Sequence, residues 1–163
     1  MSMIAMAVHD TKENGRTELT KKTLESIIET VDLTVHRLFI IDNDSCDETK
    51  MLLRRYATID NVVVITNDVN VGTAKAINQA WKFRKPLEHL VKMDNDVQIN
   101  YIGWIDELEE AIERDPQIGI IGLKRKDLME NPYRSDMFKS TLQMLTPLHG
   151  VKWVIVENVD HVI

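Results

Sequence analysis

Short apolar runs alternate with amphipathic stretches along most of this chain, and the early runs stop at clusters of Asp, Asn, His or Gly. Residues 4–8 (Ile-Ala-Met-Ala-Val), 38–41 (Leu-Phe-Ile-Ile), 62–65 (Val-Val-Val-Ile) and 89–93 (His-Leu-Val-Lys-Met) read as strands. Between them, Leu24, Ile27, Ile28 and Val31 fall at the i, i+3, i+4, i+7 spacing of a helix stripe. Thr49, Leu52, Leu53 and Tyr56 make a second stripe, Ala76, Ile77, Ala80 and Trp81 a third, and Trp104, Leu108, Ala111 and Ile112 a fourth. Strands that are apolar throughout and joined through helices call for a parallel sheet covered on both faces. Crossovers between parallel strands are right-handed. The expected fold is therefore α/β, a three-layer α/β/α sandwich with a mostly parallel, Rossmann-like central sheet.

Punctuation supports that division. Pro86 ends the third helix and Asp115-Pro116 the fourth. Ser45-Cys-Asp-Glu48 fits a capping box, with Ser45 and Glu48 satisfying the first amides of the second helix. The β-branched run 62–65 reads as a buried strand. Residues 118–123 (Ile-Gly-Ile-Ile-Gly-Leu) are a fifth strand candidate. Residues 124–150, with Pro132 and Pro147 and no period, read as an irregular or mobile segment, and residues 151–156 as a last strand. At 163 residues the whole chain, 1–163, is one domain against a prior of ~150 residues per domain.

Composition narrows the function classes. A net charge of −6 and a pI near 5.4 argue against a general nucleic-acid or anionic-membrane binder. No apolar segment reaches the ~20 residues of a membrane span, and residues 1–8 lack the basic start of a signal peptide. The single cysteine, Cys46, cannot form an internal disulfide and suits a reducing compartment, so the expected location is cytoplasmic. Trp81, Trp104 and Trp153 lie on expected core faces.

Ligands of such sheets bind at the carboxyl ends of the strands. That rule gathers His9-Asp10, Asp42-Asn43-Asp44, Asn70-Val71-Gly72 and Asp94-Asn95-Asp96 along one edge. Alternation along a strand puts Asp94 and Asp96 on the same side if the chain stays extended past Met93. Two carboxylates that close repel unless one takes a proton or a cation sits between them. A hard divalent ion, Mg²⁺ or Mn²⁺, with phosphate oxygens as further ligands resolves the repulsion. A solvated Asp-Asn-Asp turn is the other reading. Helix starts at Ser45 and Gly72 add anion-binding amides to this edge. Lys75, in the first turn after Gly72, can face a diphosphate or remain in solvent.

Three stretches resemble the family-two glycosyltransferases, the large group with the GT-A fold. Phe39-Ile-Ile-Asp42-Asn43-Asp44-Ser45-Cys46-Asp47-Glu48-Thr49 is similar to that family's "hhVDNGSxDGT" segment. Asn70-Val-Gly72-Thr-Ala-Lys75-Ala76-Ile-Asn78 is similar to its "NxGxxxAxN" stretch, and Asp94-Asn95-Asp96 stands at its DXD metal motif. The resemblance covers roughly residues 3 to 123. It implies transfer of a sugar from a nucleoside-diphosphate donor (UDP-, GDP- or TDP-sugar) to a hydroxyl of a glycan, lipid or protein acceptor, usually with inversion. It also implies roles. Asp42 reads the base, and Val8, His9 and Asp10 flank base and ribose. Gly72 begins the helix under the nucleotide, within the stretch that starts at Asn70. Asp94, followed by Asn95, lies near ribose and metal, and Asp96 ligates the cation bridging the diphosphate. Asp44 and Glu48 replace family glycines. The family's catalytic base comes from a region beyond the strand matching residues 153–156. The chain ends before that region is completed, and Glu157, Asp160 and His161 are the titratable groups left there.

Other readings compete. A non-catalytic nucleotide-sugar-binding domain would explain a missing acceptor half. A haloacid-dehalogenase-type phosphatase would use Asp94 as nucleophile and Asp96 as general acid, but three strand candidates precede a motif that normally closes the first strand. Calcium loops are disfavoured, because both Asp-Asn-Asp stretches lack the sixth-position glycine and twelfth-position glutamate.

Overall fold

The computed structural model describes residues 1–125 and 156–161. Strand β1 (Ser2–Val8) leads to helix α1 (Thr17–Thr30), β2 (Arg37–Asn43) to α2 (Asp47–Tyr56), and β3 (Val62–Asn67) to α3 (Thr73–Trp81). Strand β4 (His89–Met93) follows, then the short β5 (Val97–Ile99), α4 (Trp104–Arg114), β6 (Leu123–Arg125) and β7 (Val156–His161). Four strands form a parallel sheet in the order β3-β2-β1-β4. A smaller sheet has the order β5-β7-β6, with β7 antiparallel to β5 and parallel to β6. The expected three-layer α/β arrangement is present.

Alternation explains the layers. Ile4, Met6 and Val8 of β1 and Leu38 and Ile40 of β2 point to one face, where they bury Leu24 and Ile27 of α1, Leu53 of α2, and Trp104, Ile105 and Leu108 of α4. The residues between them, Met3, Ala5, Phe39 and Ile41, point to the opposite face and bury Ala76, Ile77 and Ala80 of α3. Both faces of β1 and β2 are thus dry, and truncating one of their large side chains to Ala would cost about 2–5 kcal/mol.

The β3 expectation needs correcting. Only Val62 of its apolar run is buried, and Val63 is 40% exposed. Its β-branched residues mark a strand, but this strand is the sheet edge, a lateral position that local composition does not encode. The fifth strand candidate is also shifted. Of residues 118–123 only Leu123 enters a strand, β6, while Ile118 is buried and Ile120 stands 78% exposed. Gly119 and Gly122 interrupt the run with positions that have no side chain to pack. Lys124 and Arg125, expected in an irregular segment, belong to β6. The rest of that segment and residues 151–155 of the expected last strand lie outside the described residues. A strand does occur at β7, one step further along the chain.

Beside β4 and α4 lies a cavity of about 470 Å³, lined chiefly by apolar residues such as Val91, Met93, Trp104 and Ile121. Its lining includes Lys92, Met93 and Val97, which flank residues 94–96.

Candidate functional site

The carboxyl ends of β1 to β4 carry the polar clusters, and the first two are stitched together. Ser45 Oγ donates to the Val8 carbonyl at 3.2 Å and accepts from the Asp10 amide at 3.2 Å, while the Cys46 amide donates to the Asp10 carbonyl at 2.7 Å. The Ser45 hydroxyl therefore serves β1 rather than α2. The capping box expected from Ser45 and Glu48 is not formed; the helix begins after Cys46 with no side-chain cap. Asp42 is buried, and its Oδ1 accepts from the Ser45 amide at 2.9 Å. His9 Nδ1 donates to the carbonyls of Asn43 at 2.9 Å and Asp44 at 3.1 Å. Those acceptors fix the tautomer, with the proton on Nδ1.

Asp10 is the hub. It is fully buried, and its Oδ2 accepts from Thr20 Oγ1 at 2.5 Å and Thr49 Oγ1 at 3.3 Å, its Oδ1 from Asn95 Nδ2 at 2.9 Å. Asn95 Nδ2 also reaches Thr20 Oγ1 at 2.7 Å. Burial pushes the Asp10 carboxyl above the ordinary 3.8; the three side-chain hydrogen bonds and the charge of Arg16 offset part of that rise. So Asp10 and Asn95, 85 residues apart, lock the end of β1 to the Asp94-Asn95-Asp96 stretch.

That stretch turns rather than continuing β4. The strand ends at Met93 and a turn occupies Asn95 and Asp96 before β5 begins. This corrects the extended geometry expected past Met93. Its cause is Asn95, whose inward amide is claimed by Asp10 and Thr20. Asp94 is 55% exposed and pairs with Lys92. Asp96 is 21% exposed and pairs with Arg16, Nη2 to Oδ2 at 2.5 Å. Among the described residues no group of three His, Cys, Asp or Glu could hold a metal. The protein donors here are two hard carboxylates, which suit an ion that draws its remaining ligands from water and phosphate. Backbone pairing of β5 with β7 sets position 161 against Val97 and position 160 against Gln98, immediately past this turn.

A network of amides occupies the other half of the edge. Asn43, buried, donates from Nδ2 to Asn70 Oδ1 at 2.7 Å and accepts at Oδ1 from Asn67 Nδ2 at 3.1 Å and the Val71 amide at 3.0 Å. Asn67 and Gln79 exchange two 3.0 Å bonds. Asn70 Oδ1 also accepts from the Gly72 amide at 2.9 Å. Gly72 has φ +84, with open space where a Cβ would stand, so conformation rather than crowding reserves it for glycine. Lys75 is exposed on the first turn of α3. The structure therefore brings Val8, His9, Asp10 and Asp42 into one stitched cluster, with Asn95 and Asp96 beside it. Asn70 and Gly72 form a neighbouring network, and Asp94 and Lys75 stand on the rim. Sequence reasoning gathered Asn43 to this edge without giving it a role, and missed Arg16, Thr20, Asn67 and Gln79. The clue to Asn43 was an amide at a strand end; Arg16 sat inconspicuously past a polar loop, 80 residues from Asp96.

A parallel α/β sheet covered on both faces, with its polar clusters at the carboxyl edge, defines a Rossmann-like class of fold. The chain matches glycosyl transferase family 2 over residues 14–160, and it belongs to that family. None of the curated proteins matches it. Among solved structures it resembles TarS residues 1–349 from S. aureus, at 19% identity and a TM-score of 0.62, covering 81% of this chain and 38% of that one. TarS has also been solved with UDP-GlcNAc. The mannosyltransferase PcManGT from Pyrobaculum calidifontis, in complex with GDP-Man and Mn²⁺, aligns at 17% identity and a TM-score of 0.64, covering 77% of this chain and 35% of that one. GalNAc-T7 with UDP, GalNAc and Mn²⁺ aligns at 19% identity and 0.60, covering 77% and 22%. This chain thus spans about two fifths or less of the length of these structures. The shared fold is GT-A. Family membership removes the phosphatase reading, and Asp94 closes the fourth strand, not the first.

Proposed function

We propose that this chain is the donor-binding part of a glycosyltransferase that moves a sugar from a nucleoside-diphosphate sugar to an acceptor hydroxyl, with inversion. The observation that carries the reading is the Asp94-Asn95-Asp96 turn, pinned by Asn95 to the buried Asp10 at the carboxyl edge of a family 2 sheet. Solved structures of the same fold, bound to UDP-GlcNAc or to GDP-Man, support a nucleotide-sugar ligand.

Asp96 and Asp94 would hold the divalent ion, and the complexes of PcManGT and GalNAc-T7 favour Mn²⁺ over Mg²⁺. When bound, such an ion neutralises charge on a diphosphate leaving group. Asp42, tied by one oxygen into the Ser45 turn, is the residue for the base, and His9 and Val8 flank it. Gly72 and the amides at the start of α3 face the phosphates, with Lys75 on the rim. Asn70 acts by holding the Gly72 amide. Asp10 positions Asn95 and does not itself meet solvent. The acceptor, whether glycan, lipid or protein, is served by parts of the protein other than this edge.

A thermal-shift titration with UDP, GDP, TDP and CDP, each with and without Mn²⁺ or Mg²⁺, tests the reading. A ligand that binds only the folded chain raises its apparent stability by mass action. One nucleotide should raise the melting temperature, more so with metal, and Asp42→Ala should weaken that nucleotide even without metal. No shift with any of the four overturns the proposal. Metal-dependent binding with no sugar transfer or hydrolysis would leave a nucleotide-sugar-binding domain.

A further inference from the structure

Arg16 and Asp96 form an ion pair unlike the other arginine–carboxylate pair that, among the described residues, ties distant parts of the chain together. Arg37 meets buried Glu88 with two nitrogens, Nε to Oε1 at 2.8 Å and Nη2 to Oε2 at 2.5 Å, and gives a further bond to the Phe83 carbonyl. Arg16 is 37% exposed, and its Nε, although buried, has no hydrogen-bond partner among the described residues. A buried N–H without an acceptor is costly, so the guanidinium is not fully satisfied where it stands. The Arg16 backbone is fixed: its amide donates to Asn14 Oδ1 at 3.1 Å and its carbonyl accepts from the Thr20 amide at 3.0 Å. The guanidinium lies at the end of a long side chain and meets Asp96 through Nη2. The Arg16 charge also acts on Asp10.

Resting on the donor-site reading above, we propose that Arg16 is an exchangeable counter-ion. It holds Asp96 while no metal is bound, yields that carboxylate to the divalent cation, and turns its guanidinium to the diphosphate. Three points carry this. A solvent-accessible pair is weak and readily exchanged. A divalent ion at Asp96 brings twice the charge and repels a guanidinium left beside it. A planar guanidinium with an unused donor is suited to phosphate oxygens, which accept from two nitrogens at once.

The test uses wild type, Arg16→Gln and Arg16→Lys, checked for fold by circular dichroism and titrated first with Mn²⁺ alone. The second titration, at saturating Mn²⁺, uses the nucleoside diphosphate that wild type binds and then its monophosphate. Arg16→Gln should bind Mn²⁺ alone about 3- to 10-fold more tightly. It should bind the diphosphate about 10-fold more weakly, with the monophosphate much less affected. Arg16→Lys should fall between the two for both ligands. This reversal of sign is not what a merely structural role would produce. Unchanged or weakened Mn²⁺ binding in Arg16→Gln overturns the exchange, and so does unchanged diphosphate binding; if wild type still binds both ligands, the donor site survives. A wild type that binds neither ligand overturns the donor-site reading and the exchange with it.

Discussion

At the amino-terminal ends of the parallel strands, charge is paired with charge. Arg37 clasps Glu88, which is fully buried and also accepts from the Lys85 amide at 2.8 Å. The chain's own amino group meets Glu109 at 2.7 Å, Ser2 Oγ meets the same carboxylate at 2.5 Å, and buried His36 accepts the Ser2 amide at Nδ1 while its Nε2 faces Asp106 at 3.3 Å. At the carboxyl-terminal ends the buried acids Asp10 and Asp42 are held by neutral donors: hydroxyls of Thr20 and Thr49, the amide of Asn95, and the backbone of Ser45. Among the described residues two cations are paired there, Arg16 with Asp96 and Lys92 with Asp94, and both are partly exposed. Fully compensated charge at one end leaves nothing for a ligand to neutralise. Undercompensated carboxylates at the other end are a standing invitation to a cation. The same sheet thus has an end for cohesion and an end for binding, and its variants should divide along that line.

The largest effect is expected at the cohesive end. Glu88→Ala leaves the Arg37 guanidinium, itself 13% exposed, without its buried carboxylate. Breaking a buried pair from one side costs about 3–5 kcal/mol, a fall of about 6–20 °C in melting temperature for a chain of this size. Nucleotide affinity measured below the transition should not change. A melting temperature within a few degrees of wild type would erase the distinction between the two ends. Asp96→Ala, at the binding end, should do the reverse. Loss of a metal-ligating carboxylate should weaken metal-dependent nucleotide binding by about 100-fold or more, while the melting temperature without ligand moves by only a few degrees. Calorimetric titration with and without Mn²⁺ reads the first, and a melting curve the second. Retained metal dependence would remove Asp96 from the site.

Protons should separate the ends as well, with smaller effect. Burial pushes Glu88 and Glu109 up, but the bonds from Arg37 and the Lys85 amide to the one, and from the terminal amino group and Ser2 to the other, outweigh it and leave both below the ordinary 4.5. For these acids the unfolded chain binds more protons. Their stabilisation is complete above that value and is lost as pH falls through the lower folded values. Asp10 has the opposite sign. Its folded value lies above 3.8, so the folded chain binds more protons just above that pH, and its ionisation there costs stability as pH rises. Denaturant titrations between about pH 3 and 6 should show stability falling toward acid in wild type, less steeply in Glu88→Gln and more steeply in Asp10→Asn. Parallel curves for all three would show that these groups do not set the acid response.

Whatever depended on local pattern was legible in the amino-acid sequence. The two-residue alternation of Met3 and Ala5 against Ile4 and Met6 and the helix stripes called for three layers, and the strand ends marked the edge where the acids gather. Lateral position was not legible, since Val63 at a sheet edge reads like a valine in the middle of one. Ser45 and Glu48 looked like a cap because a capping box is a local motif, and nothing local shows that the Ser45 hydroxyl is taken by Val8 and Asp10. The Arg16–Asp96 pair spans 80 residues of sequence and exists only once the fold has formed. Family resemblance supplied expected roles for Asp42 and Asp96, but not the Ser45 amide that holds the one or the Arg16 guanidinium that pairs with the other.

The smallest effect should come from Asp44, where the sequence carries aspartate in place of a family glycine. Its φ is +69, in the left-handed region, and its side chain is exposed. Aspartate visits that region more readily than most residues, at a modest cost that glycine avoids in the folded chain but offsets through greater unfolded-chain entropy. Asp44→Gly should therefore change stability by no more than about 0.5 kcal/mol. Asp44→Val, β-branched and ill-suited to positive φ, should lose about 1–2 kcal/mol. The Asp44 carbonyl is an acceptor for His9 Nδ1, so the valine variant should also disturb the His9 ring, readable as a shift of its imidazole resonances. If glycine and valine are equally harmless, backbone conformation does not constrain this turn. If glycine instead weakens nucleotide binding at unchanged stability, the Asp44 carboxylate belongs with the acids of the binding end and not with its scaffold.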